Sequence, residues 1–142
     1  MLRFWTVILA VVALSSNALA ESPTLKRIAE SGTFRIGYVP DAPPLSFKDE
    51  DGNVTGYSID LCRHIASAIR FDLGMEKIDI EFTPLVSIDE RISAIEKGEV
   101  DIECGTSTVT LSRRERVDFT LMTFITGSAV LSRKDKPIAT ID

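Results

Sequence analysis

Residues 77–105 read KIDIEFTPLVSIDERISAIEKGEVDIECG, and this stretch decides the fold. Apolar and polar residues alternate over 78–83, which predicts a strand. Ser87 opens a capping-box sequence, so we expect a helix to begin there and to end at Gly98. Alternation returns over 100–104 and predicts a second strand. A strand, a helix and a strand of these lengths are typical of a βαβ unit with parallel strands.

The same order of elements extends toward both ends of the chain. The sequence predicts a helix from Pro23 to a stop at Gly32, a strand over 33–39, a hairpin turning at 51–53, a helix capped by Ser58 and running to about Leu73, and a strand over 127–133. This alternation predicts an α/β fold, with a mainly parallel sheet flanked by helices. Ligands of such sheets bind beyond the carboxyl ends of the strands. The candidate positions are therefore the loops after Val39, Leu85 and Cys104.

The first twenty residues predict export from the cytoplasm. Arg3 precedes an apolar run over 5–14, and the segment ends in Ala-Leu-Ala at 18–20, a pattern that signal peptidase cleaves. We expect this signal peptide to be removed, leaving 21–142 as one domain. An uncleaved anchor is the alternative, although the run is shorter than the roughly 20 apolar residues of a membrane-spanning helix.

The charge and the reactive side chains of the chain exclude several functions. There are 16 basic and 21 acidic side chains, for a net charge of −5. An acidic protein is a poor partner for nucleic acid, so we expect none. Two cysteines and one histidine do not make a zinc site, and no metal or other cofactor is expected. No nucleophile is paired with a base in the sequence, so we do not expect an enzyme.

The loop that follows Cys104 is rich in hydrogen-bond donors. Gly105 allows the backbone to approach a ligand, Thr106 and Thr108 supply hydroxyl and amide groups, and Arg113 follows. A guanidinium binds both oxygens of a carboxylate with two charge-assisted hydrogen bonds. The pattern therefore favours a carboxylate site, while a polar loop before solvated basic residues is the second interpretation.

The two cysteines also have two interpretations. Cys62 and Cys104 both lie on predicted core faces. A disulfide between them would close a loop of about forty residues and stabilise the fold by roughly 3–4 kcal/mol. Two buried thiols that act as small apolar side chains are the alternative. The separation of the two Cα atoms, which decides the matter, cannot be obtained from the sequence.

Four segments resemble a known family in their residues, order and spacing. They are Thr33 to Gly37, Gly56 to Leu61, Lys97 to Asp101 and Thr110 to Thr120. The family is that of the polar amino-acid solute-binding proteins of ABC importers, solute-binding protein family 3. The resemblance implies the first lobe of a type 2 periplasmic-binding-protein-like fold. It also implies that Arg113 binds the α-carboxylate of an amino acid and that Thr106 and Thr108 contact the ligand.

The triplet from Glu103 to Gly105 is most similar to the glutamate/aspartate-binding branch. In that branch an arginine near the start of the second long helix contacts the side-chain carboxylate, and Arg91 stands near that position here. From the residues alone, Arg91 could equally be an exposed residue of a first helical turn. Two positions depart from relatives: Val39 replaces a second arginine, and Ala42 replaces an aromatic residue.

The resemblance implies periplasmic binding of an amino acid, with an acidic one as the finer expectation, and delivery by a monomer to an ABC permease. It implies that 21–142 is one lobe, which ends at the crossover to a second. We expect weak binding by this lobe alone, because one side of the ligand would remain in water. Two alternatives are an exported enzyme on the same scaffold, similar to cyclohexadienyl dehydratase, and the sensor lobe of a receptor.

Overall fold

A computed structural model describes residues 22–127 and 131–137. Its elements, in chain order, are α1 (Pro23–Ser31), β1 (Thr33–Tyr38), β2 (Asp41–Ala42), β3 (Ser46–Lys48), β4 (Val54–Thr55), α2 (Tyr57–Asp72), β5 (Asp79–Pro84), α3 (Ile88–Glu96), β6 (Ile102–Cys104) and α4 (Leu111–Arg114). The α/β class is confirmed. The predicted signal peptide lies outside the described residues. None of the described helices has the length and apolar character needed to span a membrane.

The main sheet has the order β5-β1-β6, and its three strands are parallel. Thr33 of β1 pairs with Asp79 of β5, and Ile36 pairs with Ile102 of β6. Because the strands run in one direction, their carboxyl ends meet at one edge of the sheet. The loops predicted to bind a ligand therefore lie at that edge.

Helices pack on both faces of the sheet. Phe34, Ile36 and Tyr38 of β1 contribute to one core, together with side chains of α1 and α2. The opposite face of β1 presents Gly37, where an added Cβ would lie 2.5 Å from a methyl carbon of Leu85. Leu85 belongs to a second, smaller core, which includes Ala94 of α3 and Val100. Strand β1 is buried on both faces for this reason.

A second, antiparallel sheet has the order β2-β3-β4. The predicted turn at 51–53 is confirmed: the Asp49 side chain accepts hydrogen bonds from the backbone N–H groups of Asp51 at 3.0 Å and Asn53 at 2.7 Å. This sheet is attached to the residue after β1 through Ser46 of β3, whose buried hydroxyl accepts from Val39 N and donates to Val39 O.

The start of α2 differs from the prediction. The N-cap residue is Gly56, not Ser58, and the helix begins at Tyr57 and ends at Asp72. Gly56 has φ of 123°, and a Cβ there would lie 2.4 Å from Leu45 O, so glycine is required by both conformation and contact. The tertiary contact therefore overrides the capping preference of serine. The predicted capping box of α3 at Ser87 is confirmed.

The predicted strand over 127–133 is not formed where the chain is described. Residues 128–130 lie outside the described part, and the residues beside them are not in a strand. Arg133 makes an isolated antiparallel bridge with Lys136.

A disulfide and a group of ion pairs connect β6, and the residue just before it, to other elements. Cys104 forms a disulfide with Cys62 of α2, with Cα atoms 6.4 Å apart, so the first of the two interpretations of the cysteines is correct. Just before β6, the side chain of Asp101 is 2 % exposed and pairs with Arg27 of α1 and Arg35 of β1. Its second oxygen accepts from the backbone N–H of Arg35 at 2.8 Å.

Candidate ligand-binding site at the carboxyl edge of the sheet

The loop after β6 is fixed at Gly105. The Gly105 carbonyl accepts a hydrogen bond of 2.9 Å from the Ser58 hydroxyl at the start of α2. A Cβ on Gly105 would lie 2.4 Å from Oε1 of Glu103 and 2.5 Å from a methyl carbon of Val39. Glycine is therefore needed because the loop packs directly on these two side chains. Gly105 was predicted to let the backbone approach a ligand closely. In the structure the close contacts at Gly105 are with the side chains of Glu103 and Val39.

Arg113 turns back toward this loop. The Thr110 side chain caps α4 by accepting from the Arg113 backbone N–H at 3.3 Å. The half-buried side chain of Arg113 then donates from Nη1 to the carbonyl of Thr108 at 2.7 Å. Within the described part of the chain its other guanidinium N–H groups make no hydrogen bond, so they are available to an anion. Binding of a carboxylate by Arg113 stays a prediction.

Thr106 and Thr108 lie on the same loop with exposed side chains. Their hydroxyl groups are accessible, and Thr108 is joined to Arg113 through its carbonyl. Ligand contact by the two hydroxyls stays a prediction.

Arg91 is held against the loop from the other side. It lies in the first turn of α3, where Nη2 donates to Val86 O at 2.8 Å and Nη1 donates to the Ser107 hydroxyl at 3.4 Å. Its Nε atom is buried and has no hydrogen-bond partner among the described residues. Arg91 is half-buried, and its contact with a ligand stays a prediction.

Glu103 of β6 carries a half-buried carboxyl group. Burial raises its pKa, while Ser107 and the charge of Arg91 act in the opposite direction. Oε1 of Glu103 is buried and has no hydrogen-bond partner in the described structure. The group is therefore unusually costly to ionise for a carboxyl at the edge of a sheet.

Ser107 lies at the candidate site, although it was not predicted from the sequence. Thr106 and Thr108 are exposed, whereas Ser107 between them is half-buried and reaches Arg91. Side chains of an extended segment alternate between two sides. That alternation is the signal that would have identified Ser107.

The two departures from relatives are visible in the site. Val39 is 7 % exposed and packs under Gly105, and Ala42 is half-buried. Neither supplies a charge or an aromatic ring. The charged side chains assembled around the loop are thus Arg91, Arg113 and Glu103.

The other arginines in and after α4 lie at the surface. Arg114 is exposed. Arg116 donates to both carboxylate oxygens of Glu96, at 2.9 and 2.5 Å, and this pairing lowers the pKa of Glu96. Arg113 is therefore the basic residue of this run that is directed to the loop.

Two guanidinium groups are hydrogen-bonded to the loop. Arg113 is bound to the loop at Thr108 and Arg91 at Ser107. Guanidinium groups that retain free N–H donors bind carboxylates. In the described segments, no three His, Cys, Asp or Glu side chains are arranged to hold a metal ion.

The family model of the bacterial extracellular solute-binding proteins, family 3, matches residues 34–140. The chain belongs to this family. The match covers β1 through α4, and so includes both arginines and the loop between them.

Individual relatives agree with this family. An L-glutamate/L-aspartate-binding protein of Pseudomonas aeruginosa is 35% identical over 138 residues, which are 94% of this chain and 45% of that protein. A glutamine-binding protein of Geobacillus stearothermophilus is 33% identical over 131 residues, which are 91% of this chain and 48% of that protein. The chain thus spans about half the length of these relatives.

A solved structure has the same fold. The crystal structure of the ancestral amino acid-binding protein AncCDT-1, described as a precursor of cyclohexadienyl dehydratase, is 36% identical and aligns with a TM-score of 0.60. The alignment covers 69% of this chain and 40% of that structure. It supports the periplasmic-binding-protein-like architecture expected from the sequence.

Proposed function

We propose that this chain binds an amino acid, with Arg113 holding the α-carboxylate. The observation that carries the proposal is the position of Arg113. Its backbone N–H donates to the Thr110 hydroxyl and its Nη1 donates to Thr108 O, and among the described residues its other guanidinium N–H groups make no hydrogen bond. Thr106 and Thr108 add hydroxyl donors beside it. Arg91, which is hydrogen-bonded to Ser107 of the same loop, would contact the ligand's side chain, and this role favours an acidic amino acid or its amide.

The names of the relatives support the same class of ligand. One binds L-glutamate and L-aspartate, and another binds glutamine. We further propose that the protein acts outside the cytoplasm after removal of residues 1–20, and that 21–142 serves as the first lobe of a binding protein that delivers its ligand to an ABC-type permease. The disulfide suits an oxidising compartment.

Catalysis is the second candidate, because one solved relative is described as the precursor of a dehydratase. The described structure offers Glu103 as a general acid, since burial raises its pKa. That carboxyl lies beneath Gly105, however, and among the described residues it makes no hydrogen bond or ion pair with Arg113. We therefore favour binding over catalysis.

The binding proposal is tested by titrating the isotope-labelled chain with amino acids and following its NMR spectrum, a method that also detects the weak binding expected of one lobe. Arg113→Ala should weaken binding by more than tenfold, because charge-assisted hydrogen bonds contribute roughly 1.5–3 kcal/mol. Arg114→Ala is the matched control, because Arg114 carries the same charge, follows Arg113 in the chain and is exposed.

The ligand supplies a second control. 4-Aminobutyrate is glutamate without its α-carboxylate, so it should not compete with glutamate. Equal affinities of wild type and Arg113→Ala, or equal losses in the two variants, would contradict the assignment of Arg113. Absence of binding of any amino acid by the wild-type chain would refute the function itself.

A further inference from the structure

Residues 105–123, which we call the binding segment, begin and end beside the first turn of α2. The segment contains the two threonines and the arginine that are proposed to bind the ligand. At its start, the Ser58 hydroxyl donates to Gly105 O at 2.9 Å. At its end, the Tyr57 hydroxyl donates to Thr123 O at 2.9 Å. Two neighbouring residues of one helix thus hold the two ends of the binding segment.

Each of these attachments is accompanied by a second contact with α2. The ring of Tyr57 packs edge-on against that of Phe124, with the ring centroids 6.2 Å apart. Cys104, directly before the binding segment, forms its disulfide with Cys62, which follows Ser58 by about one turn of the helix. The chain is therefore held to α2 on both sides of the binding segment.

The first turn of α2 is itself fixed by a different part of the chain. The backbone N–H of Tyr57 donates to Pro44 O at 3.0 Å, and that of Ser58 donates to Leu45 O at 2.9 Å. Gly56, the N-cap residue, lies so close to Leu45 that a side chain would not fit there. The position of this turn does not depend on the binding segment, so the turn can act as a fixed support for it.

The hydrogen bonds from α2 differ in kind from the contacts that the binding segment makes with α3. The two hydroxyls of α2 accept no side chain as partner here: they donate to carbonyl groups, which fixes the path of the main chain. The described contacts with α3 join side chains, Arg91 to Ser107 and Arg116 to Glu96. Arginine side chains have many rotamers, so these contacts constrain the backbone less.

We propose that Ser58 and Tyr57 are positioning residues of the ligand site, which hold the binding segment in the shape that lets Arg113 bind a carboxylate. Arg113 donates to Thr108 O within the same segment, so its position follows the path of that segment. A site that is competent in only a fraction of the molecules has its apparent affinity reduced by that fraction. This inference rests on the proposed binding of an amino acid.

Hydrogen exchange tests the positioning role without a ligand. The backbone N–H groups of Arg114 and Val117 are hydrogen-bonded to carbonyls within the binding segment, so their exchange rates, measured by NMR, report its opening. Ser58→Ala removes one neutral hydrogen bond and should raise these rates about three- to tenfold. Amides that pair β1 with β5 should exchange as in wild type. Unchanged rates in the binding segment would overturn the proposal.

Binding is tested by titrating glutamate into wild type, Ser58→Ala and Tyr57→Phe at a temperature at which all three are folded. Each variant should bind glutamate about three- to tenfold more weakly, because one hydrogen bond that holds the segment is lost. A purely structural role would lower the unfolding midpoint but leave the affinity of the folded molecules unchanged. Ser58→Thr keeps a hydroxyl at this position and should restore the affinity of wild type.

Ser67→Ala is the matched control. Ser67 is an exposed serine of the same helix, and its hydroxyl donates to Arg63 O within α2, so this variant should bind glutamate as wild type does. Equal affinities of wild type, Ser58→Ala and Tyr57→Phe would overturn the positioning role while amino-acid binding stands. If wild type binds no amino acid, the proposed function fails and the positioning role fails with it.

Discussion

Removal of the disulfide should lower the stability of this domain by a measurable and calculable amount. Cys62 and Cys104 are 42 positions apart, and a cross-link that closes a loop of this length reduces the entropy of the unfolded chain by the equivalent of about 4 kcal/mol. Native domains are stable by about 5–15 kcal/mol in total. The bond is therefore expected to supply a large part of the stability.

Packing adds a smaller contribution that can be separated from the cross-link. The two cysteines are 5 % and 3 % exposed, so the double substitution Cys62→Ala with Cys104→Ala also empties the space of two buried sulfur atoms. We expect a further loss of about 1 kcal/mol at each site. Reduced wild type retains both sulfur atoms and should show the effect of the cross-link alone.

The assay is urea denaturation followed by far-ultraviolet circular dichroism. Tryptophan fluorescence is unsuitable because the single tryptophan is Trp5, within the first twenty residues. With a slope of about 1.5 kcal/mol per molar urea, reduction should lower the midpoint by roughly 2.5 M. Identical midpoints for oxidised and reduced wild type would refute the cross-link or its entropic effect.

Three further changes test other parts of the structure by the same assay. Ser87→Ala should cost about 1 kcal/mol, because it removes the side-chain cap of α3; no change would contradict the capping box. Asp101→Ala should cost about 3 kcal/mol, because Arg27 and Arg35 lose the buried carboxylate that pairs them; a loss below about 1 kcal/mol, typical of a surface ion pair, would contradict that pairing. The pKa of Glu103 in the folded state is raised above its ordinary 4.5. As the pH rises, the unfolded chain therefore loses this proton before the folded chain does. The contribution of Glu103 to stability should fall as the pH rises from about 4.5 through the folded-state pKa. Glu103→Gln should remove that part of the pH dependence, and an unchanged pH profile would show that Glu103 is not buried as described.

The main sheet was predictable because its signals are local. Alternation over 78–83 and 100–104 reflects which side chains face the cores, and the capping box at Ser87 needs only four neighbouring residues. The errors arise where a distant contact decides. Gly56 begins α2 because Leu45 lies too close for a side chain, and this proximity is not visible in the sequence.

Part of the candidate site was also visible in the sequence. Arg113 was identified from the donor-rich loop and Arg91 by resemblance, and both are hydrogen-bonded to the loop after β6. Their contact with a ligand stays a prediction. Ser107 and Ser58 were missed, because their importance lies in bonds to residues far along the chain. The disulfide could not be chosen over free thiols, since the choice depends on a Cα separation of 6.4 Å that only the fold supplies.

The central position of β1 has a consequence for the order in which the molecule can form during synthesis. This strand is synthesised early, but both of its neighbours are synthesised later. On one edge Thr33 pairs with Asp79 of β5, and on the other Ile36 pairs with Ile102 of β6. Pairings of this sequence separation form slowly, because a long loop must close before any contact is gained. One edge of β1 can pair once β5 has been made, whereas the other edge stays unpaired until β6 follows, so the loop after β6 can take its final shape only then.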